Sequence, residues 1–247
     1  MKGVILAGGS GSRLFPLTRI TNKHLLPIYD RPMVSYSIEA LVKAGVSELM
    51  VVTGGTHAGE FLRLLGSGHD HGIERLVYAY QERPGGIADA LALARRFVGN
   101  DSLVVMLADN IVERSLTPAV AHFVAQEKGA RILLSRVPDA SHLSQLGVPE
   151  FDDQNRMRKI VEKPEDPPSP YAVTGIYFYD NRVFEIIPTL EPSGRGELEI
   201  TDVNNWYVGE GLMEWEVLEG FWGDAGESID GYYAVNDFVR AHGANRS

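Results

Sequence analysis

A glycine-rich loop followed by two basic residues stands near the start of the chain. The apolar residues 4–7 lead into Gly8-Gly9-Ser10-Gly11-Ser12, with Arg13 directly after it and Lys23 further on. Glycines let the backbone turn tightly and bring N–H groups close to anionic oxygens, while the two side chains supply full positive charges. The segment is therefore predicted to bind a polyphosphate.

Two familiar phosphate-binding loops do not fit this segment. The dinucleotide pattern G-x-G-x-x-G can begin at Gly9 and Gly11, but Leu14 occupies its third glycine position, so the close helix packing is lost. The P-loop pattern, counted from Gly8, has Arg13 where its second glycine belongs. For the glycines alone, a plain tight turn between a strand and a helix remains the alternative.

Two aspartates that follow apolar segments could hold a metal ion. Asp109 comes directly after the apolar residues 103–108, and Asp224 lies in Gly223-Asp224-Ala225-Gly226. Mg²⁺ takes oxygen ligands at about 2.0–2.1 Å from a few carboxylates, phosphates and waters. The pair is interpreted as a magnesium site, although an isolated aspartate at the position of Asp109 could also simply cap the next segment.

Glu162 and Lys163 end a strand-like run at Pro164. Successive side chains of a strand point to opposite faces, so only one of the two is expected to face a given cleft. An exposed strand-end pair is the alternative interpretation of these two residues.

Composition limits the class of protein. The chain has 247 residues, 33 acidic and 23 basic side chains, a formal net charge of -10, and no cysteine. The negative charge argues against a nucleic-acid or anionic-membrane surface, and the lack of cysteine excludes disulfides and thiolate metal sites. No run approaches the roughly 20 apolar residues that span a bilayer. We expect a cytoplasmic protein in which a few local cations attract any anionic substrate.

The order of predicted elements indicates the fold class. Strands at 4–7, 49–53, 76–80 and 103–108 alternate with helices that begin near residues 32, 57 and 86. Such alternation predicts an α/β fold with a doubly wound, mostly parallel mixed sheet, whose ligands lie beyond the carboxyl ends of the strands. Further strands at 132–137, 147–151, 159–161, 173–179 and 214–218 are expected to extend this sheet over the substrate cleft, and residues 228–241 are expected to form a packed helix. The length favours a single domain.

The candidate residues belong to a set of ordered motifs. These are residues 6–14, 23–30, 108–111, 162–164, 171–180, 195–202 and 222–226. In this combination the chain resembles the sugar-1-phosphate nucleotidylyltransferases, and in particular the members that join dTTP to glucose 1-phosphate. The resemblance implies a Rossmann-like nucleotidyltransferase fold with an added sugar-binding β region. It also implies a Mg²⁺-dependent transfer that yields dTDP-glucose and pyrophosphate.

The resemblance implies a role for each candidate residue, with Arg13, Lys23 and Lys163 catalytic and Asp109 and Asp224 on Mg²⁺. Residues 1–130 would bind the nucleotide and residues 131–247 the sugar phosphate. The implied nucleotide-binding residues are Leu6, Ala7, Gly8, Gly9, Ser10, Gly11, Ser12, Arg13, Lys23, Gln81, Gly86 and Asp109. The implied sugar-binding residues are Gly147, Glu162, Lys163, Val173, Gly175 and Glu197.

The base and the sugar are less clearly indicated. The Gln81 amide offers one acceptor and two donors and suits thymine or uracil, but an amide can flip to suit cytosine. The chain also departs from the family pattern, with Leu146 in place of tyrosine and His24 and Asp89 in place of glutamine. A UTP-using enzyme of the same fold, and a non-catalytic sugar-nucleotide-binding regulatory protein, are the alternatives.

The length of the chain also differs from the family pattern. The family's longer members continue beyond this length, so the chain is expected to be a short form. A homo-oligomer is one of the assembly states compatible with the sequence.

Overall fold

A seven-stranded mixed sheet forms the centre of the computed structural model, which describes residues 1–247. The strands are β1 (Lys2–Ala7), β2 (Pro27–Ile28), β3 (Arg31–Pro32), β4 (Glu48–Gly54), β5 (Arg75–Gln81), β6 (Leu103–Leu107), β7 (Asn110–Val112), β8 (Ala130–Arg136), β9 (Gly147–Phe151), β10 (Met157–Glu162), β11 (Tyr171–Tyr179), β12 (Met213–Val217) and β13 (Trp222–Asp224). The helices are α1 (Met33–Lys43), α2 (Ala58–Leu65), α3 (Ile87–Ala92), α4 (Arg95–Val98), α5 (Thr117–Gln126), α6 (Ala140–Leu143), α7 (Val183–Ile186), α8 (Ile200–Gly209) and α9 (Ile229–His242).

The strand order of the main sheet is β12-β8-β11-β6-β1-β4-β5. β6, β1, β4 and β5 are parallel, and so are β12 and β8, while β11 is antiparallel to both of its neighbours. Only β11 therefore runs against the common direction. The prediction of a mostly parallel mixed α/β sheet is confirmed.

The structure corrects the prediction for residues 147–151 and 159–161. These segments do not extend the main sheet but form β9 and β10, which pair only with each other. The Asn205 side chain of α8 accepts a hydrogen bond from the Ile160 N–H at 2.7 Å and donates one to the Ile160 carbonyl at 2.9 Å. A helix side chain therefore takes the backbone hydrogen bonds of Ile160 that a neighbouring strand would otherwise make.

The sheet is covered on both faces, as a doubly wound fold requires. Alternate β1 side chains enter different cores, with Ile5 and Ala7 in the core under α1 and α2, and Val4 and Leu6 in the core under α3 and α8. This alternation follows from the two-residue repeat of a strand, and both faces are apolar because both are buried.

The last helix follows the predicted pattern, whereas four others were missed. The Ser228 hydroxyl accepts a hydrogen bond from the Gly231 N–H at 3.0 Å and caps α9, whose Tyr232, Val235 and Val239 are buried. The residue patterns did not predict α5, α6, α7 and α8. Six of the ten α8 residues are β-branched or aromatic, types that are common in strands, yet Ile200, Val203, Asn204 and Tyr207 bury one helical face. No helix of the structure is long and apolar enough to cross a membrane.

Asp180 joins three segments at the end of β11. Its carboxylate accepts hydrogen bonds from the Gly129 N–H at 2.7 Å, the Tyr207 hydroxyl at 2.9 Å and the Arg182 guanidinium at 2.6 Å. Burial by itself would raise the pKa of Asp180, but the hydrogen bonds from Arg182, Gly129 and Tyr207 lower it below its usual value.

We expect Asp180→Ala to lower the free energy of unfolding by about 2–3 kcal/mol, because buried donors lose a charged acceptor. The difference in unfolding free energy between Asp180→Ala and the wild type should shrink as the pH falls through the lowered pKa of Asp180. The reason is that Asp180 stabilises the fold only while its carboxylate is ionised. Urea unfolding at pH 7 and at acidic pH measures both effects. Asp237→Ala is the control, because Asp237 contacts Arg240 at 3.2 Å on the exposed surface. Equal losses in the two variants would contradict the role of Asp180.

Candidate active site

A cavity of about 360 Å³ lies beyond the carboxyl ends of β1, β5 and β6. It is lined by most of the residues that the sequence analysis singled out. These are Leu6, Gly8, Gly9, Arg13, Lys23, Gln81, Gly86, Asp109, Gly147, Glu162, Lys163, Val173, Gly175, Glu197 and Asp224. The topology therefore brings the candidate nucleotide, metal and sugar residues to one place.

Four of the predicted nucleotide-binding residues do not line the cavity. Ala7 is fully buried in the core, and Ser10 and Ser12 are exposed on the loop. Gly11 has a φ of 62°, and a Cβ there would lie 2.9 Å from Thr18 Cγ2. Gly11 is therefore required by the shape of the loop, where its backbone is left-handed and closely packed.

Arg13 carries an unpaired charge at the cavity. It lies in the 3-10 turn Ser12–Leu14, whose Leu14 side chain is fully buried and anchors the turn. The Arg13 side chain is exposed and takes part in no ion pair or side-chain hydrogen bond of the structure. Its guanidinium is therefore free to bind an anionic group.

Lys23 and Asp109 form a buried ion pair, with the Lys23 Nζ 2.5 Å from Asp109 Oδ2. Burial by itself disfavours the charged forms of both the Lys23 ammonium and the Asp109 carboxylate. The Lys23 ammonium nevertheless holds the pKa of Asp109 well below its usual range, and the carboxylates of Asp109 and Asp224 raise the pKa of Lys23. His24, whose Nε2 lies 3.8 Å from Asp109 Oδ2, is buried beside the pair, and burial lowers its pKa, so the imidazole is neutral.

Asp224 is brought next to Asp109 by the pairing of β13 with β7, in which Asp224 lies opposite Asn110. Its Oδ1 accepts a hydrogen bond from the Gly226 N–H at 2.8 Å. Burial, followed by the charge of Asp109, raises the pKa of Asp224 to about 7. Two crowded carboxylates with only one ammonium between them fit a bound divalent cation, which would relieve their repulsion.

Asn110, which the sequence analysis did not assign to the site, fixes the position of Asp109. Its side chain is buried, accepts hydrogen bonds from the Trp222 indole N–H at 2.7 Å and the Gly175 N–H at 2.8 Å, and donates to Asp109 Oδ1 at 3.2 Å. A Cβ on Gly175 would lie 2.6 Å from Asn110 Nδ2. Gly175 is therefore required by this network. The only signal for Asn110 in the sequence was its place in the motif of residues 108–111.

Glu162 and Lys163 both line the cavity, so the expectation that only one would do so is wrong. β10 ends at Glu162, and Lys163 has a left-handed φ of 47°, which breaks the alternation of a strand. The Glu162 carboxylate accepts a hydrogen bond from the Thr201 hydroxyl at 2.7 Å, and Lys163 Nζ lies 3.9 Å from Glu162 Oε1.

Arg195 is a second cation at this end of the cavity that the sequence analysis left without a role. Its guanidinium donates hydrogen bonds to both carboxylate oxygens of Glu199, at 2.9 and 3.0 Å, and lies within 4 Å of Glu162 and Glu197. The hydrogen bonds to Glu199 raise the pKa of Arg195 above its usual value. Carboxylates and basic groups at this end could bind sugar hydroxyls and a phosphate.

Backbone hydrogen bonds join the two ends of the cavity. The Leu198 N–H donates to the Gly85 carbonyl at 2.8 Å, and the Ala88 N–H donates to the Leu198 carbonyl at 3.2 Å. Gly86, with a φ of 96°, lies against this contact, and a Cβ there would be 2.4 Å from the Leu198 carbonyl oxygen. Gly86 is therefore a glycine because two loops meet at it, in addition to any contact with a base.

Comparisons with known proteins agree with this geometry. Residues 2–242 match the family model described as nucleotidyl transferase. Glucose-1-phosphate thymidylyltransferase of Neisseria meningitidis is 44% identical over 229 residues, which are 92% of this chain and 78% of that protein. The enzyme of the same name from Actinoplanes is 43% identical over 244 residues, 98% of this chain and 78% of its own length.

Solved structures share the fold. A crystal structure described as a glucose-1-phosphate thymidylyltransferase of Bacillus anthracis in complex with sucrose has a TM-score of 0.91 and 44% identity, and covers 97% of this chain and 95% of that one. UDP-glucose pyrophosphorylase complexed with UDP-glucose has a TM-score of 0.81 at 24% identity over 97% and 98% of the two chains, which shows the fold alone. The chain belongs to the nucleotidyl transferase family and is a nucleotidyltransferase.

Proposed function

We propose that this enzyme transfers a nucleotidyl group from dTTP to glucose 1-phosphate and releases dTDP-glucose and pyrophosphate. The observation that carries the proposal is the cluster of the buried Asp109 with the partly buried Lys23 and Asp224 beside the glycine loop, in a cavity that also holds Lys163. The names of the relatives supply the substrates of the proposal. Residues 1–130 bind the nucleotide in this proposal, and residues 131–247 bind the sugar phosphate.

The reaction needs no protein nucleophile. A phosphate oxygen of the sugar phosphate attacks the α-phosphorus of the nucleotide, the bond from that phosphorus to the bridging oxygen breaks, and pyrophosphate leaves with the electron pair. Arg13 and Lys23 neutralise the triphosphate, and Lys163 binds the phosphate of the attacking sugar. Positioning the two phosphates in line and compensating their charge is how such transfers are accelerated.

Asp109 and Asp224 would hold Mg²⁺ in this proposal. When bound, the ion neutralises phosphate charge and orients the phosphate oxygens. The Lys23 ammonium, with its Nζ 2.5 Å from Asp109 Oδ2, is a counter-charge of that carboxylate. At the other end, Glu162 and Glu197 accept hydrogen bonds from sugar hydroxyls, while Gly147 leaves space beside Glu162 Oε2, which lies 3.6 Å from the position of a Cβ.

Pyrophosphate release across a panel of nucleoside triphosphates and sugar 1-phosphates tests the proposal. We expect turnover with dTTP and glucose 1-phosphate, and its loss with a chelator, because the two carboxylates then hold no divalent ion to bind the triphosphate. UTP in the panel tests the nearest alternative. Release with no pair would favour a non-catalytic binding protein, and release that a chelator does not change would remove the metal from the proposal.

Asp224→Asn should lower turnover by a factor on the order of 10²–10³, as expected for a lost electrostatic contact to the reacting phosphates. The metal-free variant should be as thermally stable as the wild type or more stable, since it has one fewer carboxylate beside Asp109. Mg²⁺ should then no longer raise its melting temperature. Asp237→Asn, at an exposed position, is the matched control. Near-normal turnover in Asp224→Asn would exclude Asp224 from the metal site.

Gly226→Ala should impair catalysis without removing any functional group. A Cβ at this position would lie 2.5 Å from Asp109 Oδ2 and 2.7 Å from Lys23 Nζ, so the ion pair must shift. Displacements of this size can lower rates by about 10²-fold. In the control Gly59→Ala, nothing lies within 4 Å of the added Cβ, and turnover should be unchanged. Equal kcat values for the two variants would show that the position of the pair does not matter.

A further inference from the structure

The side-chain amide of Gln81 has acceptors for both of its hydrogens. Gln81 ends β5, and its Nε2 donates to Asp89 Oδ2 at 2.6 Å and to the Gly86 carbonyl at 3.3 Å. The Gln81 side chain lines the cavity, whereas Asp89, on α3, does not. The amide nitrogen therefore bonds to neighbouring protein groups, and the oxygen is left for a ligand.

The reverse orientation of the amide is disfavoured by chemistry. A flip would bring Gln81 Oε1 against a carboxylate oxygen at about the same short distance and against a carbonyl oxygen, and neither of these is a donor. Gly85 leaves room for this contact, because a Cβ there would lie 2.5 Å from Asp89 Oδ2. The free rotation that a glutamine normally has is thus lost at Gln81.

We propose that Asp89 is a positioning residue that holds the Gln81 carbonyl oxygen toward the base, so that the site selects thymine or uracil and rejects cytosine. This inference rests on the proposed function, since it assigns the base of the nucleotide that this site binds. Thymine and uracil present an N3–H to an acceptor, whereas N3 of cytosine is itself an acceptor. Two facing acceptors leave a desolvated polar group without a partner, which is how a hydrogen-bonding site rejects the wrong ligand.

Neighbouring backbone groups are consistent with this assignment. The site of a Cβ on Gly8 is 3.4 Å from Gln81 Oε1, so Gly8 places no side chain next to that oxygen. The Gly86 N–H makes no hydrogen bond within the protein, and Gly86 lines the same cavity. One acceptor and one free donor at this end of the cavity match the N3–H and a carbonyl oxygen of thymine or uracil.

Asp89→Asn is the deciding variant, because asparagine has nearly the same shape but can also donate to Gln81 Oε1. The amide of Gln81 could then flip and present Nε2 to N3 of cytosine. We expect the preference for dTTP over dCTP to fall by about ten- to a hundredfold, mainly through a gain for dCTP. Calorimetric binding of dTTP, UTP and dCTP, and kcat/KM for each, measure this preference.

Glu82→Gln is the control, because it removes an exposed carboxylate next to Gln81 that makes no hydrogen bond or ion pair, and the ratio should stay unchanged. The KM for the sugar 1-phosphate and the melting temperature of Asp89→Asn should also be unchanged, whereas a merely structural role would weaken binding of every nucleotide alike. An unaltered dTTP to dCTP ratio in Asp89→Asn, or a wild type that binds dCTP as well as dTTP, overturns the inference.

The binding and turnover measurements separate this inference from the proposed function. Selective binding of dTTP and UTP that depends on Asp89, without turnover of any substrate pair, supports the role of Asp89 and contradicts the proposed reaction. Turnover without a dependence of base preference on Asp89 supports the reaction and contradicts the role of Asp89. Failure to bind any of the three nucleotides contradicts both.

Discussion

The charge cluster of the buried Asp109 and the partly buried Lys23 and Asp224 is the constraint around which the cavity is built. Charged side chains are seldom buried without partners, and a buried carboxylate that loses its partner is strongly destabilising. The fold therefore has to bring three distant segments together: the turn after the glycine loop, the end of β6, and β13. The β7–β13 pair and the Asn110 hydrogen bonds hold the carboxylates, and Gly226 leaves the space that the Lys23 ammonium occupies.

Local charge and overall charge have opposite signs in this protein. The chain carries a net charge of -10, yet Arg13, Lys23, Lys163 and Arg195 all line the one cavity. Lys23, Lys163 and Arg195 each lie within 4 Å of a carboxylate, while Arg13 is unpaired and exposed. In a cleft of low dielectric a few such groups can attract an anion that the rest of the surface repels. The acidic composition therefore disfavours phosphate binding elsewhere on the surface.

The sequence predicted the parallel part of the sheet and the convergence of Gln81, Asp109 and the glycine loop well, because short apolar strands and their order determine which residues share a sheet edge. It predicted the antiparallel part less well. Nothing local shows that β9 and β10 leave the main sheet, because the Asn205 side chain that bonds the β10 backbone lies on a helix 45 residues further along the chain. The opposite-face prediction for Glu162 and Lys163 was wrong because a left-handed residue ends the strand. Asn110 was missed because its partners Gly175 and Trp222 lie far away in the chain. Arg195 pairs with Glu199 only four residues away, but its place at the cavity beside Glu162 comes from the tertiary fold.

The hydrogen bonds between Leu198 and the Gly85–Ala88 backbone have a consequence for how this enzyme can change. The loop that carries Gln81 and the loop that carries Glu197 share these bonds, and their contact at Gly86 leaves no room for a side chain. An insertion or a new conformation in residues 193–199 would therefore shift the segment that holds Gln81 and Asp89. With the proposed roles of Gln81 and Glu197, remodelling of this loop toward a different sugar would also change the base preference, so the two specificities would be coupled.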